Sequence, residues 1–232
     1  EHRLEPNVIS YSTVISAFER ASQWERALVT LAEMPQRRLV PDVLTYSAAI
    51  SACSSGRQRD RALDLFESME RENLKADVVA NTAAIDACKF SQQWEQALWI
   101  LMWMPLRRLT PDAIAYSTAI NACNKCVQPA WALHLFEEMK KKGLQPDLVV
   151  YNSAISACEK GEEPEWALQL FEELRCTGLQ LSEITYNAVI SACEQGAQPG
   201  RALELFEEMK EMGLEANEIT YSVAISACEK GV

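Results

Sequence analysis

Apolar residues recur along the chain with a helical spacing that restarts at a fixed interval. Tyr46, Ile50 and Cys53 stand at i, i+4 and i+7, and Ala62, Phe66 and Met69 repeat that spacing after a polar break. Each set marks one buried stripe on one helix. The break between them, Ser54-Ser55-Gly56 here and Glu159-Lys160-Gly161 further on, carries turn chemistry. The second helix is expected to end near Gly143, Gly178 and Gly213, which suit a left-handed cap. Pro41, Pro111 and Pro146 follow, and proline disfavours helical geometry in the residue before it. The local element is a helix hairpin.

The hairpin repeats every 35 residues without insertion or deletion. Ile15, Ile50, Ile85, Ile120, Ile155, Ile190 and Ile225 form one column, and Cys53, Cys88, Cys123, Cys158, Cys193 and Cys228 another. Tyr11, Tyr46, Tyr116, Tyr151, Tyr186 and Tyr221 make a third, broken once by Asn81. Six full units follow, 8–42, 43–77, 78–112, 113–147, 148–182 and 183–217, then a partial unit, 218–232, with only a first helix. A fragment of a longer chain is expected. One hairpin of this size cannot bury its own apolar faces, but stacked neighbours can. The pattern therefore predicts one all-α solenoid over 1–232 with a concave surface, first helices lining one side and second helices the other.

Composition narrows the chemistry. No apolar run is long enough to span a bilayer, so no membrane partner is expected. Eight glycines and nine prolines disfavour a loop-rich all-β fold, and two histidines leave little for histidine catalysis. The columnar cysteines read as small, buried, reduced thiols. Cys123-Asn124-Lys125-Cys126 lacks the second ligand pair that a zinc site needs. The pairs Glu137-Glu138, Glu172-Glu173 and Glu207-Glu208 recur at the repeat interval and read as a solvated outer helix face. Trp99 and Trp103 form a local apolar patch. With no phosphate loop, nucleophile triad or metal cluster in the sequence, an enzyme, a cofactor and a metal site are not expected.

The formal net charge of −11 argues, on its face, against a nucleic-acid partner. It is unevenly spread: the six full units carry 0, −1, 0, +1, −4 and −5. The excess acid lies mostly in turns and second helices of the last two. The charge becomes a statement about affinity rather than a veto.

The units resemble the pentatricopeptide repeat. The resemblance rests on Leu148-Val-Val-Tyr-Asn-Ser-Ala-Ile-Ser-Ala-Cys-Glu-Lys-Gly, then Ala167-Leu-Gln-Leu-Phe-Glu-Glu-Leu, then Gly178-Leu. Unit four closes with Met139-Lys-Lys-Lys-Gly-Leu-Gln-Pro-Asp147. It spans essentially the whole chain, and units of uniform length look like a P-type array. It implies a right-handed α-solenoid that binds single-stranded RNA on its concave face, one nucleotide per repeat, in mitochondria or plastids. It also implies a modular readout, in which a few side chains per repeat address one base.

By that resemblance the residue after the tyrosine column reads the base together with the closing residue of the unit. The pairs are Ser12/Asp42, Ser47/Asp77, Thr82/Asp112, Ser117/Asp147, Asn152/Ser182 and Asn187/Asn217, with Ser222 in the partial unit. Base-packing positions are Ile9, Leu44, Val79, Ile114, Val149, Ile184 and Ile219. Arg20, Lys125, Lys160 and Lys230 could meet phosphate. A small hydroxyl with Asp implies guanine, and Asn with Ser or Asn implies a pyrimidine, giving 5′-GGGG(C/U)(C/U)-3′. Helix capping explains part of the closing column but not a polar residue at the reading position of all seven units. The alternative is a protein-interaction scaffold, or a structural subunit of an organellar ribosome or other large assembly.

Overall fold

The structure, a computed structural model, describes residues 6–89 and 93–230, except for the side chains of Ile219, Ala227, Cys228 and Lys230. Among the described residues there are thirteen α-helices and no strand. First helices are α1 (Val8–Arg20), α3 (Val43–Ser55), α5 (Val78–Cys88), α7 (Ala113–Lys125), α9 (Leu148–Lys160), α11 (Glu183–Gln195) and α13 (Glu218–Lys230). Second helices are α2 (Trp24–Gln36), α4 (Arg59–Arg71), α6 (Trp94–Leu106), α8 (Pro129–Lys141), α10 (Pro164–Cys176) and α12 (Pro199–Glu211). Every first helix starts on the unit boundary read from the sequence.

The two kinds of helix start differently. Asn7, Asp42, Asp77, Asp147 and Ser182 hold extended backbone, and each side chain accepts from the N–H three residues on. Asp112 and Asn217 make the same bond to Ala115 and Thr220. Such a cap contributes about 1 kcal/mol. Second helices lack a side-chain cap, and three begin with Pro129, Pro164 or Pro199, whose missing N–H is no loss in the first turn.

The two turns use glycine for different reasons. At the end of the second helix Gly143, Gly178 and Gly213 take φ of 75°, 76° and 73°, the expected left-handed cap. Inside the hairpin Gly56 has φ −76°, and its neighbour Arg57 takes the left-handed position instead. Glycine is required there by close approach. A Cβ on Gly56 would lie 2.3 Å from Trp24 Cδ1, and one on Gly161 would lie 2.3 Å from Pro129 Cγ.

The structure divides into two compact units, Glu1–Ala122 and Cys123–Val232. In the first, α1 packs on α2 and α3, and α3 on α4 and α5, while α5 also packs on α6. In the second, α9 packs on α8, α10 and α11, and α11 on α12 and α13. The isoleucine column and the Ala27, Ala62, Ala97, Ala132, Ala167 and Ala202 column are fully buried through the full units. Each such isoleucine contributes about 1.5–3 kcal/mol of burial, and the alanines let the helices approach closely.

Cys53, Cys88, Cys123, Cys158 and Cys193 are buried thiols of the same core, none in a disulfide. Burial pushes Cys53 and Cys193 up to about 11, against a small opposing pull from Arg61 and Arg201. It pushes Cys123 and Cys158 up to about 12, helped by Cys126 and Glu163.

The glutamate pairs do more than face solvent. Glu173 accepts from the Tyr151 hydroxyl at 2.8 Å and pairs with Lys140 of the preceding repeat. Glu208 accepts from the Tyr186 hydroxyl at 3.0 Å and pairs with Arg175 of the preceding repeat. These contacts tie the fifth and sixth hairpins together and fasten each to the hairpin before it.

Candidate nucleic-acid interface

Three kinds of side chain recur on the first helices. The second residue of each unit is aliphatic and faces outward: Ile9, Leu44, Val79, Ile114, Val149 and Ile184 are 56–72% exposed. The isoleucine six residues further along the same helices, on a different face, is fully buried. Packing within the fold therefore accounts for one apolar column and leaves the other in water. Ile219 and Lys230 fall outside the described side chains.

In the first two units the predicted reading and closing residues come together at the start of the next first helix. Ser47 Oγ lies 2.9 Å from Asp77 Oδ1 and 2.7 Å from the Val43 carbonyl, so its one proton is directed into the protein. Asp77 Oδ1 also accepts from the Ala80 N–H at 2.8 Å. Ser12 reaches the same place indirectly: its Oγ lies 2.8 Å from Thr45 Oγ1, which donates to Asp42 at 2.6 Å. Asp42, Asp77, Asp112 and Asp147 all cap through Oδ1. The junctions holding Ser12/Asp42 and Ser47/Asp77 thus commit their hydroxyl protons to acceptors of the protein itself.

Two cavities follow this face in the first compact unit. One of about 430 Å³ is bordered by Ile9, Ser12, Asp42, Leu44, Ser47, Asp77 and Val79, with Arg20 at its edge. The other, about 370 Å³, is bordered by Val79, Thr82, Asp112 and Ile114. Thr82 Oγ1 is buried there with no hydrogen-bond partner. An unpaired buried hydroxyl costs about 1–3 kcal/mol.

In the second compact unit Asn152 and Asn187 take the reading positions, and Ser182 and Asn217 cap the following helices. Asn152 Oδ1 accepts from Thr185 Oγ1 at 2.7 Å, and Asn187 Oδ1 lies 2.5 Å from Thr220 Oγ1. Ser117 is half-buried on α7, while Asp147 caps α9; Ser222 is exposed. Arg20, Lys125 and Lys160 stand exposed at the far end of their first helices. Lys160 donates to Asn124 at 2.8 Å, and burial together with the Lys125 charge lowers its pKa, against Glu159.

Sequence reasoning missed the threonines. Thr45, Thr185 and Thr220 occupy the third position of their units, are buried, and engage the preceding unit's reading residue. The signal was a hydroxyl where other units have Ala80, Ala115 or Val150. It also missed a polar ladder near the ends of the first helices, where Ser54 donates to Asp86 at 2.6 Å, Ser191 to Glu159 at 3.0 Å and Ser226 to Glu194 at 2.8 Å.

These features define an all-α solenoid of helix hairpins whose first helices repeat an exposed aliphatic residue and a polar residue. The chain belongs to the PPR repeat family: that family model matches residues 6–55, 146–195 and 182–230. A pentatricopeptide repeat domain model matches 64–125 and 129–161, and a further PPR repeat model matches 44–74. Among solved structures, the pentatricopeptide repeat protein PPR10 from maize is 26% identical, with a TM-score of 0.62 over 95% of this chain and 32% of that one. PPR10 in complex with an 18-nucleotide psaJ RNA element is 23% identical, with a TM-score of 0.57 over 97% and 36%. The chain thus spans about a third of the length of PPR10. The PPR domain of Arabidopsis thaliana protein-only RNase P 1, in complex with tRNA, is 13% identical, with a TM-score of 0.68 over 78% and 95%. No curated protein matches significantly.

Proposed function

We propose that the chain is a non-enzymatic, sequence-specific binder of single-stranded RNA in organellar RNA metabolism, one nucleotide per unit along the first-helix face. The exposed aliphatic column carries the reading. A flat, water-facing Ile, Val or Leu beside each polar pair offers a base one face to pack on and one edge to bond. The inward-directed serine protons support guanine at the first two units, because guanine's Watson–Crick edge carries two adjacent donors, N1–H and N2–H. Thr82/Asp112 and Ser117/Asp147 carry the same residue types, a small hydroxyl with Asp, and the two asparagines suit pyrimidines. The expected target is 5′-GGGG(C/U)(C/U)-3′. Family membership and the RNA bound by PPR10 support the ligand class.

A gel-shift series with this hexamer and its scrambled versions tests the proposal; equal binding to both would sink it. Asp112→Asn adds a donor where the third base meets the carboxylate. It should move the third preference from G toward A, by about tenfold in relative Kd.

A second reading, a protein-interaction scaffold, draws on α6. Trp99, Met102, Trp103 and Leu106 lie exposed there, with the two indole rings 5.1 Å apart. If that reading holds, Trp103→Glu releases a co-purifying protein, and RNA affinity shows no salt dependence.

A further inference from the structure

The asparagine junctions differ in how many carbonyl oxygens compete for one proton. Thr185 Oγ1 accepts from the Ser182 backbone N–H at 3.4 Å and lies 3.0 Å from Ser182 Oγ. Ser182 Oγ itself accepts from the Thr185 N–H at 3.4 Å, so its proton can go to Thr185 Oγ1. The proton of Thr185 then goes to Asn152 Oδ1, 2.7 Å away. The Asn152 amide is held oxygen-inward, and Nδ2 is left to face a base.

At the next junction Thr220 Oγ1 lies 2.5 Å from Asn187 Oδ1 and 2.9 Å from Asn217 Oδ1. Asn217 Oδ1 is fixed, because it accepts from the Thr220 N–H at 2.9 Å. One hydroxyl proton cannot serve two carbonyl oxygens. When it goes to Asn217, Asn187 is satisfied by turning its Nδ2 inward, which leaves its oxygen outward. When it goes to Asn187, the nitrogen faces outward instead.

We propose that Thr185, which is buried, is a positioning residue that sets pyrimidine choice at its unit, and that buried Thr220, in the equivalent place, sets none. Thr185 locks Asn152 as a donor, which matches the N3 acceptor of cytosine and not the N3–H of uracil. Thr220, shared between two carbonyls, leaves Asn187 free to present either atom and so to accept C or U. The inference rests on the RNA reading above, and it adds a residue that never touches the base.

The test uses the full chain and the RNAs 5′-GGGGCC-3′, 5′-GGGGUC-3′ and 5′-GGGGCU-3′. The wild type should prefer C over U about tenfold at the fifth nucleotide and within about twofold at the sixth. Thr185→Val should collapse the fifth preference to about twofold or less, while Thr185→Ser, which keeps the hydroxyl, restores it. Thr220→Val should leave the sixth ratio unchanged. Should Thr185→Val melt on circular dichroism, Thr185→Ala takes its place with the same expected collapse. If the hydroxyl-free variants keep the tenfold preference and Asn152→Ala loses it, the lock is overturned and the RNA reading stands. If wild type and Asn152→Ala alike show no preference, the RNA reading fails and the lock with it.

Discussion

Val127 sits at φ 54° in the hairpin turn of the fourth repeat, a left-handed position that a β-branched side chain occupies only under strain. Ser22, Arg57, Glu162 and Ala197 take the equivalent conformation without branching at Cβ. Val127 is 45% exposed, so little packing is lost on its removal. Val127→Gly is expected to raise stability by about 1 kcal/mol, read as a higher urea midpoint; a lower midpoint would contradict the strain. Gly161, one residue before such a position, behaves oppositely. Its missing Cβ makes room for the Pro129 ring, and Gly161→Ala should cost about 1–3 kcal/mol. The sequence marks Gly161 as a turn residue, since turn chemistry is local, but nothing in it marks Val127. Which of the two bears the left-handed backbone, and which the close approach, depends on a ring that arrives from 32 residues away.

Helix starts are the most legible elements because a cap acts over three residues: Asp42, Asp77, Asp112 and Asp147 could be read as starts from their own neighbourhoods. The ties between helices are less legible. Tyr151 and Glu173 are 22 residues apart, and Lys140 reaches Glu173 across a repeat boundary. Repetition at 35 residues made the glutamates look like a plain solvent face. These ties and the thiol column give the hairpins a pH signature. Burial, followed by the Glu72 and Glu208 contacts, holds the phenols of Tyr46 and Tyr186 up to about 12. The buried thiols are held between about 11 and about 12. The folded state therefore keeps protons that the unfolded chain releases near pH 9 for thiols and 10 for phenols. Stability present below pH 9 is lost as pH rises toward 12. The urea midpoint should fall steadily from pH 8.5 to 11, and a flat profile would contradict it. At pH 8, alkylation of the native protein should label exposed Cys176 and spare Cys53, Cys158 and Cys193 until urea is added.

For the whole molecule, charge decides how much of any RNA affinity is sequence-independent. The last two full units carry −4 and −5, yet their acids are unequal in effect. Glu162, Glu165, Glu204 and Glu207 are exposed in turns or second helices, off the first-helix face. Glu159 and Glu194 lie on first helices, where each accepts a serine proton from the next repeat. Against them stand Arg20, Lys125 and Lys160, with Lys230 expected from the sequence. Single-stranded binding loses about 0.7 in the slope of log K against log salt for each phosphate contact, so four contacts give no more than about −3. Lys160→Gln should shallow that slope by about 0.7 and weaken target and scrambled RNA alike, because phosphate carries no sequence. Glu165→Gln and Glu204→Gln should leave the slope where it was. Binding titrations from 50 to 300 mM salt separate the cases. A slope near zero would remove phosphate from the interface, and a steep slope indifferent to Lys160→Gln would move it to another face. The remaining affinity then has to come from aliphatic packing and base edges, which makes the interface one that selects sequences more strongly than it attracts RNA.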